Sequence, residues 1–327
     1  MIQTTDLPHR VGTIAPVLAL LDRPATLTRA ALASLVANIA IVGTGGLVRV
    51  SDSGLGCPTW PRCTDNSYHA TPAMGIHGAI EFGNRLLTFV LGAIAVIGLL
   101  AAYRQRHRVR AALRPAVLIF VGVALQGLLG GVTVRMALNP WTVAAHFLLS
   151  MGLIAVSYAF WRTATTHAAR WTAPAPARTL ALLLTGVSAV VLVLGTVVTG
   201  SGPHAGDAAA ARTGFDPESV AQLHTDVVFL LLGLSVAMWF TLRALGAPPR
   251  ASRAAATLVL VELGQGMIGF VQYVTGLPWA AVVLHMLGAC LVWLAALHML
   301  ATVRADASEA APGPAADQAE LVAHSRT

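Results

Sequence analysis

The chain has 327 residues, 56% of them hydrophobic and only 11% charged, with a mean hydropathy of +0.71. That is too apolar for an ordinary soluble domain of this length and fits a chain whose main solvent is lipid. The formal charge of +7 does not make it a nucleic-acid binder, because the 21 basic residues, all arginine, cluster in short segments between apolar runs, as charge-orientation rules require of a membrane protein.

The N-terminus is polar through Arg10, and Arg23 and Arg29 precede the first apolar run, so no secretory signal pattern is present and that run is expected to stay in the membrane. Windows of about 20 apolar residues, the length a helix needs to cross the hydrocarbon, fall at roughly 30–48, 78–102, 113–134, 141–161, 179–199, 221–243, 254–274 and 279–303. Arg104, Arg106, Arg108, Arg110 and Arg114 follow span two, Arg162, Arg170 and Arg178 follow span four, and Arg243, Arg250 and Arg253 follow span six. These loops, and with them both termini, are expected to be cytoplasmic. The opposite loops, poorer in arginine, then face outward from the cell membrane. The segment from 304 to 327, rich in Ala, Pro, Asp and Glu, reads as a disordered cytoplasmic tail.

The first outward loop holds Cys57 and Cys63 around Pro58 and Pro61. In an oxidising compartment such a pair forms a disulfide or a redox-active couple, the other reading being two free thiols. Cys290 lies inside an apolar run and reads as a small core residue.

The chain repeats itself. Gln126-Gly127-Leu128-Leu129-Gly130 matches Gln265-Gly266-Met267-Ile268-Gly269 at an offset of 139, His146 matches His285 at the same offset, and Asn84 matches His224 at 140. An even number of spans per unit gives both halves one orientation. The expectation is an all-α integral membrane protein with eight transmembrane helices, arranged as two tandem, parallel-related four-helix bundles. The chain divides into an N-terminal segment 1–29, a first bundle 30–162, a linker 163–178, a second bundle 179–303 and the tail 304–327. Asn84, His146, His224 and His285 fall in the first two turns of spans that enter from outside, at matching depth. Polar groups there are costly unless partnered, which makes them functional candidates.

His224 and His285, on helices two and four of one bundle, are placed to ligate a haem iron from both faces. The bland reading is two histidines bonded to neighbours such as Gln222, Asp226 or Gln265. In the first unit Asn84, a poor iron ligand, stands opposite His146. There Glu81 shares a face with Asn84, is spaced for an ion pair with Arg85, and has His77 one turn before it as an alternative ligand. Glu81 reads as a carboxylate that moves protons or orients water, or as a charge compensated by Arg85. Arg49 and Arg135, at outward helix ends, read either as propionate contacts or as residues that snorkel to the interface. Glu262, mid-span in helix seven, reads as a proton relay or a structural group, and His298 lies about 20 Å too deep to serve the iron of His285.

These residues resemble one family: the stretch Gly-Leu-Val-Arg-Val-Ser-Asp-Ser-Gly-Leu-Gly-Cys-Pro-Thr-Trp-Pro-Arg-Cys at 46–63, Ile80 to Arg85, and the histidines at 146, 224 and 285 are similar to the haem A synthases. The resemblance runs from about 30 to 303. It implies an enzyme that oxidises the C8 methyl of haem O to a formyl group by successive hydroxylations with water as oxygen source. It implies haem b as cofactor on His224 and His285, haem O as substrate near His146 and Glu81, and Cys57 with Cys63 as the family's outward cysteine pair. Implied partners are the lipid bilayer, haem O synthase, a membrane electron acceptor and a second copy of the chain. The sequence departs from the family's Glu-x-x-His-Arg arrangement at Asn84, which sets bis-histidine ligation of the substrate haem in question and leaves either His77 or no residue, and so a five-coordinate iron, in the second ligand position. Two readings compete: a di-haem cytochrome that only transfers electrons, and a haem transporter, for which ligands confined to one side of the bilayer give no pathway.

Overall fold

In a computed structural model, residues 14–165, 171 and 173–303 are described. The expectations for residues 1–13, for His167 and Arg170 in the linker, and for the tail 304–327 lie outside the described residues. Nine α-helices occur among them: α1 Ile14–Leu21, α2 Pro24–Val50, α3 Gly75–Arg104, α4 Leu113–Arg135, α5 Pro140–Thr165, α6 Ala175–Ser201, α7 Pro217–Ala244, α8 Pro249–Val274 and α9 Trp279–Val303. The eight from α2 onward are long and apolar enough to cross a membrane, as the apolar windows require. Among the described residues β-structure is limited to one isolated bridge between Thr64 and Ser67.

Helix starts follow local chemistry. Proline occupies the first turn of α2, α6, α7 and α8, where its missing N–H costs nothing and its fixed φ suits the helix. Asp216 caps α7, accepting from the Ser219 N–H at 2.8 Å and from the Ser219 hydroxyl at 2.7 Å. These bonds from Ser219, which only the carboxylate accepts well, hold the Asp216 carboxyl below its ordinary range.

Most helix ends reach a few residues beyond the apolar windows, so that α5 runs to Thr165 and α6 begins at Ala175, both inside the expected linker 163–178, and the largest difference is at the start of the first span. The first span begins at Pro24 rather than residue 30, and the expected N-terminal segment 1–29 contains α1. The short apolar run of α1 gives no transmembrane signal, and its junction with α2 is pinned by contacts distant in sequence. Asp22 accepts two bonds from Arg104 (2.7 and 2.6 Å), and the Gln105 side chain donates to the carbonyls of Leu21 and Arg23.

Helices α2 to α5 pack in a ring, each on its sequence neighbour with α2 closing on α5, and α6 to α9 repeat that ring. This is consistent with two tandem bundles. Each ring has its own core, around Leu27, Ile119 and Phe160 in the first and Leu184, Met238, Leu258 and Met299 in the second. A third core, with Leu35, Ile154, Leu192 and Cys290, lies where α2 and α5 meet α9 and α6. Small residues bring those helices close: a Cβ at Gly43 would stand 3.0 Å from Leu287, and one at Gly46 would stand 3.0 Å from the Met286 sulfur. The turns between the third and fourth helix of each unit share even their backbone. Leu138 (φ 57°) donates to the Thr133 carbonyl and Leu277 (φ 61°) to the Gln272 carbonyl, equivalent positions of the repeat.

Candidate functional site

All the candidate ligands lie toward the end of the helices that carries the Cys57–Cys63 loop, here termed the disulfide face. In the second unit His224 comes from α7 and His285 from α9, within electrostatic reach of each other. The glutamine side chains that would make them ordinary polar contacts bond elsewhere. Gln222 donates to Asp226 at 2.7 Å, and Gln265 donates to the backbone carbonyl of His285 at 2.8 Å rather than to its ring. Nδ1 of His146, of His224 and of His285 is buried without a hydrogen-bond partner among the described residues. Orphaned ring nitrogens are expensive in a protein interior, which makes these three histidines candidates for holding a bound group.

The repeated Gln-Gly-x-x-Gly motif explains how the rings are placed. Gln126 in α4 donates to the carbonyl of His146 at 3.0 Å, as Gln265 in α8 does to that of His285, and so each fixes the histidine-bearing turn of the next helix. The final glycine makes room for the ring: a Cβ at Gly130 would stand 3.2 Å from Cε1 of His146, and one at Gly269 would stand 3.0 Å from Cε1 of His285. Gly195 on α6 makes the same allowance for His224, at 3.4 Å, with the Val191 main chain nearby. In the sequence these motifs marked the duplication, with Gln265 a possible bonding neighbour of the histidines, and the part of the glycines in seating the rings carried no signal.

The first unit is built differently opposite His146. Asn84 bonds through Oδ1 to the Thr44 hydroxyl at 2.8 Å, so the amide is held by α2. Thr44 carried no signal of this in the sequence. Glu81 is buried, 5% exposed, and both its oxygens are engaged. Oε2 accepts from the Cys57 N–H at 2.5 Å, and Oε1 accepts from Arg85 through Nε (3.0 Å) and Nη2 (2.5 Å). Arg85 in turn donates to the carbonyls of Cys57, Thr59 and Arg62. Glu81 and Arg85 therefore clasp the cysteine loop to α3. His77 is inside α3 but exposed, two turns nearer the disulfide face than Asn84, and its Nδ1 is 3.0 Å from the Ser53 hydroxyl.

Cys57 and Cys63 form a disulfide, both fully buried. The loop that they close lays Trp60 on α4 so tightly against Gly131 that a side chain there would meet the indole. Arg135 donates to the Trp60 carbonyl at 3.1 and 3.3 Å and lies 6.0 Å from the centre of its ring. The cover thus rests on the turn of α4 that seats His146.

Arg49, at the end of α2, donates to the carbonyls of Thr199 (2.8 Å) and His204 in the second unit. Gly54 donates to the Gly206 carbonyl at 2.8 Å, and the His204 ring meets the Leu277 carbonyl at 2.9 Å. Glu262 is buried at mid-span of α8. The Ser235 hydroxyl of α7 donates to its Oε1 at 2.8 Å, while Oε2 has no partner among the described residues. His298 bonds Tyr158 at 2.8 Å near the far end of α9, away from the other histidines.

A relative from Halalkalibacterium halodurans named heme A synthase is 31% identical over 125 residues, 38% of this chain and 40% of its own length. One of the same name from Geobacillus kaustophilus is 32% identical over 124 residues, 37% of this chain and 38% of its own. A third, from a Methylobacterium species, is 32% identical over 164 residues, 44% of this chain and 45% of its own. The matched stretches thus span less than half of each relative. The family model described as cytochrome oxidase assembly protein, COX15-CtaA, matches residues 28–297, from the first turns of α2 to the last turns of α9, and the chain belongs to that family.

Proposed function

We propose that the protein is a haem A synthase, an oxidoreductase that converts the C8 methyl group of haem O to the formyl group of haem A by successive hydroxylations with water as oxygen source. The observation that carries this reading is the inequality of the two pockets. Nδ1 of His224 and of His285, two rings within electrostatic reach of each other, has no partner among the described residues, whereas in the first unit the position equivalent to His224 is an asparagine held by Thr44. A pair of equivalent bis-histidine sites would suit a di-haem cytochrome; one closed and one open ligand set suits a cofactor beside a substrate.

The residues fit haem at both places, since orphaned imidazole nitrogens and glycines cut back against the rings are what an axial ligand site needs. His224 and His285 would hold haem b. Haem O would lie on His146 near Asn84. Iron in the second pocket supplies one-electron chemistry when bound. The chain's own part is to orient and to screen. Gln126 and Gln265 fix the histidine turns, and the disulfide loop with Trp60 covers the first pocket against bulk water. Glu81, buried beside Arg85, is the group that would accept a proton at Oε2, displacing the Cys57 N–H. Arg49 and Arg135, whose guanidinium groups already donate to backbone carbonyls, would meet propionates through their remaining N–H groups, and His77 would be the alternative ligand. The disulfide face would be the outer side of the cell membrane, with both termini cytoplasmic. Haem O synthase would deliver the substrate, an acceptor in the membrane would take the electrons, and a second copy of the chain would be a further partner.

The test is haem extraction and chromatography from cells that make the protein and have a supply of haem O. Conversion to haem A is expected in wild type and is lost in Glu81→Ala, while His224→Ala depletes the low-spin haem. A haem-loaded protein that leaves haem O unchanged overturns the enzyme reading. Two low-spin bis-histidine spectra in the purified protein overturn the division between the pockets.

A further inference from the structure

At the opposite face of the molecule, α7 and α8 part around a crevice of about 360 Å³ lined by Trp239, Arg243, Pro249, Ser252, Arg253 and Ala256. Arg243 projects from the end of α7 and lies 5.6 Å from the centre of the half-buried Trp239 ring. Arg253 comes from the first turns of α8, on the facing wall. Both arginines are exposed and neither has a carboxylate partner: the ion pairs among the described residues are Arg85 with Glu81 and Arg104 with Asp22. Two guanidinium groups that share one crevice repel each other until an anion joins them.

The first unit treats the same level differently. There the end of α3 is closed by the protein itself, Asp22 pairing with Arg104 and Gln105 binding the α1–α2 junction. The second unit offers no such carboxylate among the described residues, and those residues leave its crevice open. An indole at that level is at home at the membrane boundary. The wall continues into the hydrocarbon as exposed apolar surface at Phe240 and Leu260.

We propose that this crevice binds the headgroup of an anionic phospholipid. The phosphodiester sits between Arg243 and Arg253, with planar, paired N–H donors on each side. The Ser252 hydroxyl supplies a further donor, and an acyl chain runs along α8 past Ala256 and Leu260. Basic pockets between transmembrane helices hold lipid headgroups by this chemistry. The proposal does not depend on what the disulfide face binds.

The experiment uses the full chain purified in detergent and measures binding of phosphatidylglycerol, phosphatidylcholine and inorganic phosphate by native mass spectrometry and thermal shift. Wild type is expected to prefer phosphatidylglycerol to phosphatidylcholine by about 30-fold, the contribution of two arginines near a membrane surface. The Arg243→Gln/Arg253→Gln variant is expected to lose that preference while keeping its circular dichroism. Arg250→Gln, a neighbouring cation that does not line the crevice, is expected to retain it. Equal loss in Arg250→Gln, no preference in wild type, or inorganic phosphate binding as well as the lipid would each overturn the proposal.

Discussion

Two glycines of one motif give the sharpest test of how the second pocket is built. Both Gly266 and Gly269 lie inside α8, but a Cβ added at Gly266 meets nothing within 4 Å, whereas one at Gly269 stands 3.0 Å from Cε1 and 3.5 Å from Nδ1 of His285. Alanine gains up to roughly 1 kcal/mol over glycine in a helix interior, so Gly266→Ala should be neutral or stabilising. At Gly269 the same gain is set against overpacking of about 1–3 kcal/mol, because the imidazole must retreat by a few tenths of an ångström in a packed interior. Gly269→Ala should therefore unfold about 1–3 kcal/mol below Gly266→Ala. It should also lose low-spin haem signal per mole of protein, since the displaced ring is the proposed ligand. Thermal unfolding in detergent and optical spectra of the purified variants measure both quantities. If the two variants unfold together with the same low-spin spectrum, Gly269 does not seat the ring and the account of the motif fails.

Removing Arg85 strands a buried carboxylate: Arg85→Ala should cost about 3–5 kcal/mol in unfolding experiments and free the cysteine loop, seen as faster reduction of the disulfide, whereas unchanged reduction would mean that the clasp is not what holds the loop. Ser235 and Glu262 correspond in the repeat to Ala95 and Val123, both buried in the core of the first unit. Transplanting that apolar pair, Ser235→Ala/Glu262→Val, should be nearly neutral to thermal stability while Ser235→Ala alone costs about 1–3 kcal/mol; a double variant as unstable as the single would show that the pair is not merely a polar contact. The Asp216 carboxyl is depressed in the folded protein, so its capping contribution is present above the unfolded value of about 3.9 and is lost as pH falls through the lower folded value. Hydrogen exchange in the first turn of α7 should rise in that acid range in wild type and show no such pH step in Asp216→Asn.

The eight spans, the duplication and the depth of the histidines were legible because each rests on a regular signal: a length set by the hydrocarbon, a fixed offset, and the rise of a helix. The supports were not. Thr44 and Asn84 are 40 residues apart in sequence, and nothing local in either says that they bond. Glu81 and Arg85 showed their spacing, but the engagement of Oε2 by the Cys57 N–H depends on how the loop folds back on α3. Trp60 looked like any loop aromatic, and its seat is legible only once Gly131 is seen beneath it. Helix α1 was hidden by brevity, being too short for a span and held by Arg104 and Gln105 from a distant helix end.

The bonds between the two halves have a mechanical consequence. Arg49 ties them at the disulfide face, the Trp293 indole donates to the Met151 carbonyl at 3.0 Å partway down, and Tyr158 meets His298 near the other end. Ties at three levels oppose the swing about a common fulcrum that the paired lobes of a carrier make. In the proposed reading these ties oppose any change in spacing between the two ligand sets, so electrons passing from one half to the other would cross a gap that the fold resists widening.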